Sequence, residues 1–398
     1  MATATVSEVK APPTPTLQLA PATVVSISYL RAFVTLLVVA HHSFLVYITM
    51  KFPRSPSFTA QPRYWLLFPV ADPAGWPGFD LFVGWNDIFF MPLMFFISGI
   101  FVWPSLTKKG AGTFLKRRFL RVGVPFIVAV LLLGPLTYYP AFLQSGSSGL
   151  LAYAKAWLSL GNWPSGPAWF LWVLLAFDCL AAICFLAVPR AAESLGKLFG
   201  QTGQRPILFF LTLVALSQVA YLPLVWKLGP YGPFIFGPFF VQGTKILVYL
   251  VYFFAGVAAG IFGNNAGLLA PAGKLARRWP LWGVVSLLCF GAWIGAYVAG
   301  KSWTSAAIFS FSCAATSLFV IAVFARFASS NRIVDSFSAN AYGIYVLHYV
   351  FLAWVQWTIL RLAAPAALKG FIALACAIAL SWTAAALLRR NPRIANVI

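Results

Sequence analysis

The sequence predicts an all-α protein, a polytopic bundle of about ten transmembrane helices. Of its 398 residues, 61% are hydrophobic and only 9% are charged, whereas about 25% of the residues in a typical soluble domain are charged. Long apolar segments recur along the chain, and each can cross a bilayer core of about 30 Å. No polar stretch is longer than one loop. We therefore expect a multi-pass membrane protein without a soluble catalytic domain.

Ten segments have the length and apolarity of spans. They cover residues 25–48, 83–106, 119–139, 167–188, 206–225, 236–262, 280–299, 303–325, 338–360 and 368–388. The sixth overlaps a Gly- and Pro-rich stretch from Gly229 to Phe240. Such a break at membrane depth requires protein or a water-filled cavity to satisfy its backbone. If the sixth helix begins near Gln242, Lys245 lies at the outer interface and its ammonium group extends into water.

The net charge of +21 is distributed by side of the membrane. With these spans and a cytoplasmic N-terminus, 18 Lys and Arg residues fall inside, eight fall outside and two lie within spans. This excess follows the positive-inside rule, so both termini are predicted to be cytoplasmic, in a protein of the inner (cytoplasmic) membrane. The basic residues contact anionic lipids, and a nucleic-acid partner is not expected.

One membrane domain accounts for most of the chain. Residues 1–24 are expected to form a disordered cytoplasmic tail, residues 25–388 the transmembrane domain, and residues 389–398 a short cytoplasmic tail. The N-terminal residues lack the basic segment of a secretory signal. The five cysteines have no metal-binding or redox spacing, and Walker and dinucleotide motifs are missing from the sequence. We therefore expect no bound cofactor and no metal.

Three ionisable residues, Arg31, His41 and His42, lie inside the first span. His42 follows Arg31 by 11 residues, so it lies above Arg31 on the same helix face, about 16 Å away. His41 falls about 80° off that face. Ionisable groups are costly to insert into a membrane, so Arg31 and His42 are predicted to form a functional pair that faces the protein interior.

A dense cationic run, FLKRRFLRVGVP, opens the third span. Arg118 and Arg121 are i,i+3 neighbours, so their guanidinium groups can face one direction at a helix start. This arrangement suits a phosphate-bearing ligand. The alternative is a topological anchor that contacts lipid headgroups, and we favour that explanation for Lys116 and Arg117.

The third histidine, His348, lies halfway along the ninth span, at a depth similar to that of His42. A catalytic imidazole needs a partner that fixes its tautomer, and Asp80, Asp87 and Asp178 are the carboxylates near or within spans. The sequence does not choose among them. Hydrogen bonding between helices, without catalysis, also explains Asp178 and His348.

Five segments together resemble the type-3 family of integral-membrane acyltransferases, which includes sugar O-acetyltransferases and the succinyltransferase of periplasmic glucans. In chain order they are ISYLRAFVTLLVVAHHS, MPLMFFISGIF, FLKRRFLRVGVP, GPAWFLWVLL and AYGIYVLHYV. The resemblance covers nearly the whole chain and includes the family's Arg-x10-His and Arg-x-x-Arg spacings.

The resemblance implies transfer of an acetyl or succinyl group from acyl-coenzyme A, a cytoplasmic co-substrate, to a hydroxyl of a carbohydrate or other cell-envelope acceptor. His42 would be the catalytic histidine, Arg31 its motif partner, and Arg118 and Arg121 the contacts to the donor phosphates. His42 acts either as a general base or as a transient acyl carrier. Some relatives carry a C-terminal extracytoplasmic SGNH-type domain, whereas this sequence ends at Ile398. Either the acceptor enters the membrane site directly, or a separate periplasmic protein completes the transfer.

The main alternative is a proton-coupled transporter or flippase. In that case His42, His348 and Asp178 would relay protons, and the break at 229–240 would form a discontinuous helix. Transporters of this kind have matching breaks in two halves, and only one half contains a break here. A structural or sensor protein is the third possibility. It is disfavoured because Arg31 and His42 are costly to insert into a membrane and would have no function there.

Overall fold

The structure is a computed structural model that describes residues 21–51, 57–263 and 267–397. Nine helical segments in these residues are long and apolar enough to cross a membrane. The remaining predicted span falls on a 27-residue helix, Arg332–Thr358, which has the necessary length but buries polar side chains such as Asn340 and Gln356. The predicted polytopic helical bundle is confirmed.

Ten α-helices precede residue 229 in the described residues. They are α1 (Pro21–Leu45), α2 (Pro77–Ile100), α3 (Val102–Lys109), α4 (Ala111–Arg118), α5 (Val124–Val128), α6 (Gly134–Gln144), α7 (Leu150–Leu158), α8 (Trp169–Ala187), α9 (Pro189–Thr202) and α10 (Pro206–Leu228). Two π-helical turns, Phe119–Gly123 and Ala129–Leu133, join α4, α5 and α6 into one continuous helix. The predicted N-terminal tail lies outside the described residues up to residue 20, and α1 begins at Pro21.

A β-hairpin and seven α-helices follow. They are β1 (Pro233–Phe236), β2 (Phe239–Gln242), α11 (Ile246–Phe262), α12 (Lys274–Arg277), α13 (Trp279–Val298), α14 (Ser302–Phe327), α15 (Arg332–Thr358), α16 (Ala366–Leu388) and α17 (Pro392–Ala395). Helix α1 packs against α2, α14, α15 and α16, and α2 also packs against α11. The first span therefore lies inside the bundle, although the Arg31 side chain is exposed.

The Gly- and Pro-rich stretch forms the hairpin of β1 and β2, so the sixth span begins at Gly243 and not at residue 236. The two strands are antiparallel and satisfy each other's backbone groups, which is how a non-helical segment remains stable beside a membrane. The ring of Phe239 packs 5.6 Å from those of Phe126 and Trp172. The hairpin therefore rests against the transmembrane helices.

Glycines bring α2 and α11 into backbone contact. A Cβ atom on Gly99 would lie 2.1 Å from the carbonyl oxygen of Phe253, and one on Gly256 would lie 2.0 Å from that of Phe96. Small residues at helix interfaces allow this approach in membranes, where packing drives association. This close contact fixes α2 next to α11.

Three hydrogen bonds join the helix ends on one side of the bundle. The Tyr29 hydroxyl donates to Asp335 Oδ1 over 2.6 Å, which joins the third turn of α1 to the start of α15. The Tyr342 hydroxyl donates to the carbonyl of Arg121, and the Arg389 guanidinium donates to the α15 backbone. We call this side, where α1, α4 and α15 begin, the basic end. The opposite side is the loop end.

Charged groups hold the connection between α1 and α2 at the loop end. Asp80 accepts hydrogen bonds from the backbone and hydroxyl of Thr49, and Lys369 forms a buried ion pair with Asp72 over 3.0 Å. The Lys51 ammonium donates to two backbone carbonyls. Burial lowers the pKa of Lys51 from its ordinary value, and the nearby carboxylates oppose this shift. The connection is therefore anchored to α2 and α16.

Candidate active site

His42 lies near the loop end of α1 with one ring nitrogen occupied. Its Nδ1 is 2.7 Å from the carbonyl oxygen of Val38. A carbonyl only accepts hydrogen bonds, so Nδ1 carries the proton and, in the neutral ring, Nε2 keeps its lone pair. The ring centroid lies 5.2 Å from that of Tyr349 in an edge-to-face arrangement. The backbone of α1 itself thus fixes the tautomer that a general base requires.

His348 lies beside His42, with ring centroids 5.4 Å apart. Its side chain is completely buried, and its Nδ1 is 2.7 Å from the carbonyl oxygen of Tyr345. The same reasoning places the proton on Nδ1, so Nε2 is an acceptor, and it has no hydrogen-bond partner among the described residues. Two imidazoles with basic Nε2 atoms therefore share one site.

His41 points to a different neighbour. Its ring stacks on that of Phe90 in α2, with centroids 5.1 Å apart, while the rings of His41 and His42 are 5.5 Å apart and nearly perpendicular. The neighbouring histidines thus pack against different helices, as the helical phase predicts. His42 contacts α15 and His41 contacts α2.

Arginines converge at the basic end. Arg31, Arg121 and Arg389 lie close enough for their charges to repel one another. The ion pairs found among the described residues include none of these three side chains. A cluster of like charges on separate helices is unfavourable by itself, and an anionic ligand would stabilise it.

Asp178 pairs with Arg118, and no hydrogen bond links it to a histidine in the described chain. The carboxylate is completely buried, and its Oδ2 lies 3.2 Å from Arg118 Nε. The Arg118 side chain is 24% exposed, and its guanidinium lies over the ring of Phe114. Because the carboxylate faces Nε, the two terminal nitrogens remain available to a second anion. Asp178 therefore orients the arginine of the cationic run.

Asp87 also pairs with a cation. Its Oδ2 lies 2.6 Å from Lys245 Nζ, which donates in addition to the backbone carbonyl of Asp87. Lys245 is only 3% exposed and lies over the ring of Phe309. The expectation that Lys245 extends into water at the interface is therefore wrong, because Asp87 supplies the oxygen atoms that make an inward ammonium favourable.

Aromatic side chains close the site towards the loop end. The hydroxyls of Tyr138 and Tyr349 donate to the carbonyl oxygens of Leu66 and Leu67, over 3.5 and 3.2 Å. The ring of Trp65 packs 5.3 Å from that of Tyr138. Residues 65–67 of the connection between α1 and α2 thus cover the loop end of the site that contains the two histidines.

Sequence reasoning did not identify Tyr138 and Tyr349 as site residues. Tyr349 directly follows His348, which was a usable signal, because a residue next to a site histidine stays close to it. Tyr138 has no such signal. It lies in α6 and reaches the site only through the packing of α6 on α15.

The fold and the family comparison define a class of protein, the multi-pass membrane acyltransferases. The family model described as an acyltransferase domain, of acyltransferase group 3, matches residues 24–386. The chain belongs to this acyltransferase-3 family. The match favours an enzyme over the transporter or flippase that the sequence left as an alternative.

Curated relatives include glucans biosynthesis protein C from Salmonella paratyphi B, Salmonella heidelberg and Salmonella enteritidis. Each is 28% identical over 159 residues, which is 40% of this chain and 34% of the relative. The match thus spans about a third of the length of these relatives. No solved structure matches the chain significantly.

Proposed function

We propose that this protein transfers a small acyl group, acetyl or succinyl, from acyl-coenzyme A to a hydroxyl of a cell-envelope carbohydrate. The observation that carries the proposal is the tautomer of His42. Its Nδ1 is held by the carbonyl of Val38, so Nε2 is a base inside a membrane acyltransferase. Such a base can take the proton from an attacking hydroxyl.

The basic end faces the cytoplasm in this proposal, in the inner membrane. Eighteen of the 28 Lys and Arg residues fall on that side when the ten predicted spans are used, which agrees with the positive-inside rule. Acyl-coenzyme A is a cytoplasmic metabolite, so its phosphates would meet the arginines from that side.

The donor phosphates bind the arginines of the basic end. Asp178 lies 3.2 Å from Arg118 Nε, which leaves the terminal nitrogens of Arg118 to a ligand. Arg31, Arg121 and Arg389 add a positive cluster at the same end. Guanidinium groups bind phosphate through paired hydrogen bonds. From Arg31 to His42 the donor arm must span about 16 Å along α1, so an elongated donor is required.

The chemical step takes place at His42. The acceptor oxygen forms a bond to the thioester carbon, its proton moves to His42 Nε2, and the carbon–sulfur bond breaks. The proton then passes to the leaving coenzyme A sulfur, so that an ester and a free thiol result. In the alternative route His42 Nε2 attacks the thioester carbon first and expels the coenzyme A thiolate. The acceptor oxygen then bonds to the acyl carbon, the carbon–nitrogen bond breaks, and the hydroxyl proton passes to the thiolate. Both routes use the same nitrogen.

His348 positions the carbohydrate. Its unpartnered Nε2 lies beside His42 and can accept a hydrogen bond from a second hydroxyl of the carbohydrate, because the reacting hydroxyl gives its single proton to His42. A buried hydrogen-bond acceptor without a partner destabilises the protein, and a hydrogen bond from a bound carbohydrate would remove that cost. The carbohydrate assignment is supported by the name of the relatives, glucans biosynthesis protein C. The acceptor enters the site directly or is delivered by a separate periplasmic partner.

Thiol release from acetyl- or succinyl-coenzyme A by the purified protein in lipid nanodiscs tests this function. We expect release with at least one donor, faster with a short glucan oligosaccharide, and loss of release in His42→Ala. The His41→Ala variant is the matched control, because its ring packs against α2. Absence of thiol release from both donors with folded wild-type protein would contradict the proposed donor.

A further inference from the structure

A cavity lies next to the histidines, between α6, the start of α8 and α15. Leu133, Gly134, Ser165, Tyr345 and Tyr349 contribute to its wall. Aromatic rings and small residues thus surround a mostly apolar space whose wall also carries several hydroxyl groups, which is typical of small-molecule sites between helices.

The helix that forms one side of this cavity departs from α-helical geometry there. The π-helical turn Ala129–Leu133 ends directly before Gly134, and both its first and its last residue line the cavity. Single π-turns inside helices occur frequently at functional sites, because the wider turn displaces the residues after it. The cavity lies beside this wider turn.

One polar side chain in the wall has no partner. Ser165 is only 7% exposed, and within the part of the chain that the structure describes its hydroxyl has no hydrogen-bond partner. A buried hydroxyl without a partner costs free energy that a ligand hydroxyl would recover. Ser165 directly precedes the turn Gly166–Ala168, which also lines the cavity.

The cavity and His42 share a wall. Tyr349 lines the cavity, and its ring centroid lies 5.2 Å from that of His42. Gly166 has a φ of +50°, and a Cβ atom there would lie 3.0 Å from the Tyr349 ring. Glycine at position 166 therefore leaves space for the Tyr349 ring, which lies between the cavity and the His42 imidazole.

The cavity lies apart from the arginines proposed to bind the donor. Ala129 and Leu133, which line it, follow Arg121 by 8 and 12 residues on one continuous helix, which corresponds to about 12 and 18 Å. Its lining residues in α15 lie before and after His348, so the cavity is at the depth of the histidines. A ligand in it would therefore approach His42 at a distance from the donor phosphates.

We propose that this cavity holds the acceptor, as a carbohydrate ring with its hydroxyl directed past Tyr349 towards His42. The inference rests on the proposed function and adds the location and chemical class of its second substrate. Tyrosine faces pack against the ring, Ser165 exchanges a hydrogen bond with a ring hydroxyl, and the small residues leave room for it.

Two neighbouring leucines provide a matched test. Leu133 lines the cavity, whereas Leu132 is 62% exposed on the same helix. Leu133→Trp should raise the KM for a glucan oligosaccharide at least tenfold, with the KM for acyl-coenzyme A and hydrolysis without acceptor within twofold of wild type. Leu132→Trp should match the wild type in all three. Ser165→Ala, a milder change, should raise the acceptor KM alone.

Each other outcome overturns the inference. A rise in the donor KM in Leu133→Trp would make the cavity part of the donor site, and unchanged constants would make it a packing defect. If Leu133→Trp does not fold, Ser165→Ala decides by the same constants. A wild type that hydrolyses acyl-coenzyme A without esterifying the oligosaccharide overturns the carbohydrate assignment. A wild type that leaves acyl-coenzyme A intact contradicts the proposed function itself, before any variant is compared.

Discussion

His42 and His348 lie at the same depth because a hydrogen bond between Tyr29 and Asp335 sets the register of α1 and α15. Tyr29 and Asp335 are joined by a hydrogen bond, and each histidine follows its helix's member of that pair by 13 residues, about 20 Å along the helix. The resulting distance between the ring centroids is 5.4 Å. The hydrogen bond at the basic end of the bundle therefore aligns the two imidazole rings near the loop end.

Replacement of His42 should affect catalysis far more than replacement of His41. His42→Ala removes the nitrogen proposed as base, and loss of a general base typically lowers the rate by about 10²–10⁴-fold. His41→Ala should keep most activity, since its ring packs on Phe90. The measurement is the initial rate of acyl transfer at equal protein abundance. Similar rates in the two variants would remove His42 from the catalytic role.

The rate of acyl transfer in His348→Ala should lie between the rates in His41→Ala and His42→Ala. If its Nε2 positions the acceptor, the KM for the acceptor rises while hydrolysis of acyl-coenzyme A without acceptor changes little. His348→Gln, which keeps a hydrogen-bonding group, should recover part of the acceptor affinity. An equal loss of hydrolysis and transfer would instead assign His348 to the step that both reactions share.

Replacement of Arg118 or Arg121 should affect donor binding more than replacement of the nearby lysines. Arg118→Ala and Arg121→Ala are expected to raise the donor KM by tenfold or more, and Lys should restore little, because it lacks the paired donors of a guanidinium group. Lys108→Ala and Lys109→Ala should change the donor KM by less than threefold. Equal effects at all four positions would show that the run is only a topological anchor.

Asp178→Asn should weaken donor binding through Arg118. Loss of the carboxylate leaves Arg118 Nε without its partner at 3.2 Å, so the guanidinium is no longer held in one orientation. We expect a higher KM for acyl-coenzyme A and a smaller change in kcat. Asp87→Asn, which breaks the pair with Lys245, is the control and should lower thermal stability without a selective change in the donor KM. Identical kinetic effects in both variants would make Asp178 a structural residue only.

Gly256→Ala should destabilise the bundle. Its Cβ would meet the carbonyl oxygen of Phe96 at 2.0 Å, so α2 and α11 must separate. Overpacking of this kind typically costs about 1–3 kcal/mol, which a melting curve of the protein in detergent would detect. Gly295→Ala in α13 is the control, because open space surrounds that position. Equal melting temperatures would show that the helices can adjust.

Composition and hydrophobic length determined the class of fold, because a membrane requires long apolar helices whatever their arrangement. Helical phase also separated His41 from His42, since both lie on one regular helix. The Gly- and Pro-rich stretch was identifiable as a break, although its β-hairpin and the start at Gly243 were not.

Only the tertiary structure decided the partners of the charged and aromatic groups. Asp87, Asp178 and Lys245 are isolated in the sequence, and the pairs with Lys245 and Arg118 form because separate helices pack side by side. Tyr138 reaches the loop end of the site for the same reason. Sequence periodicity gives the direction of a side chain on its own helix, whereas the residue that it meets depends on how the helices pack against one another.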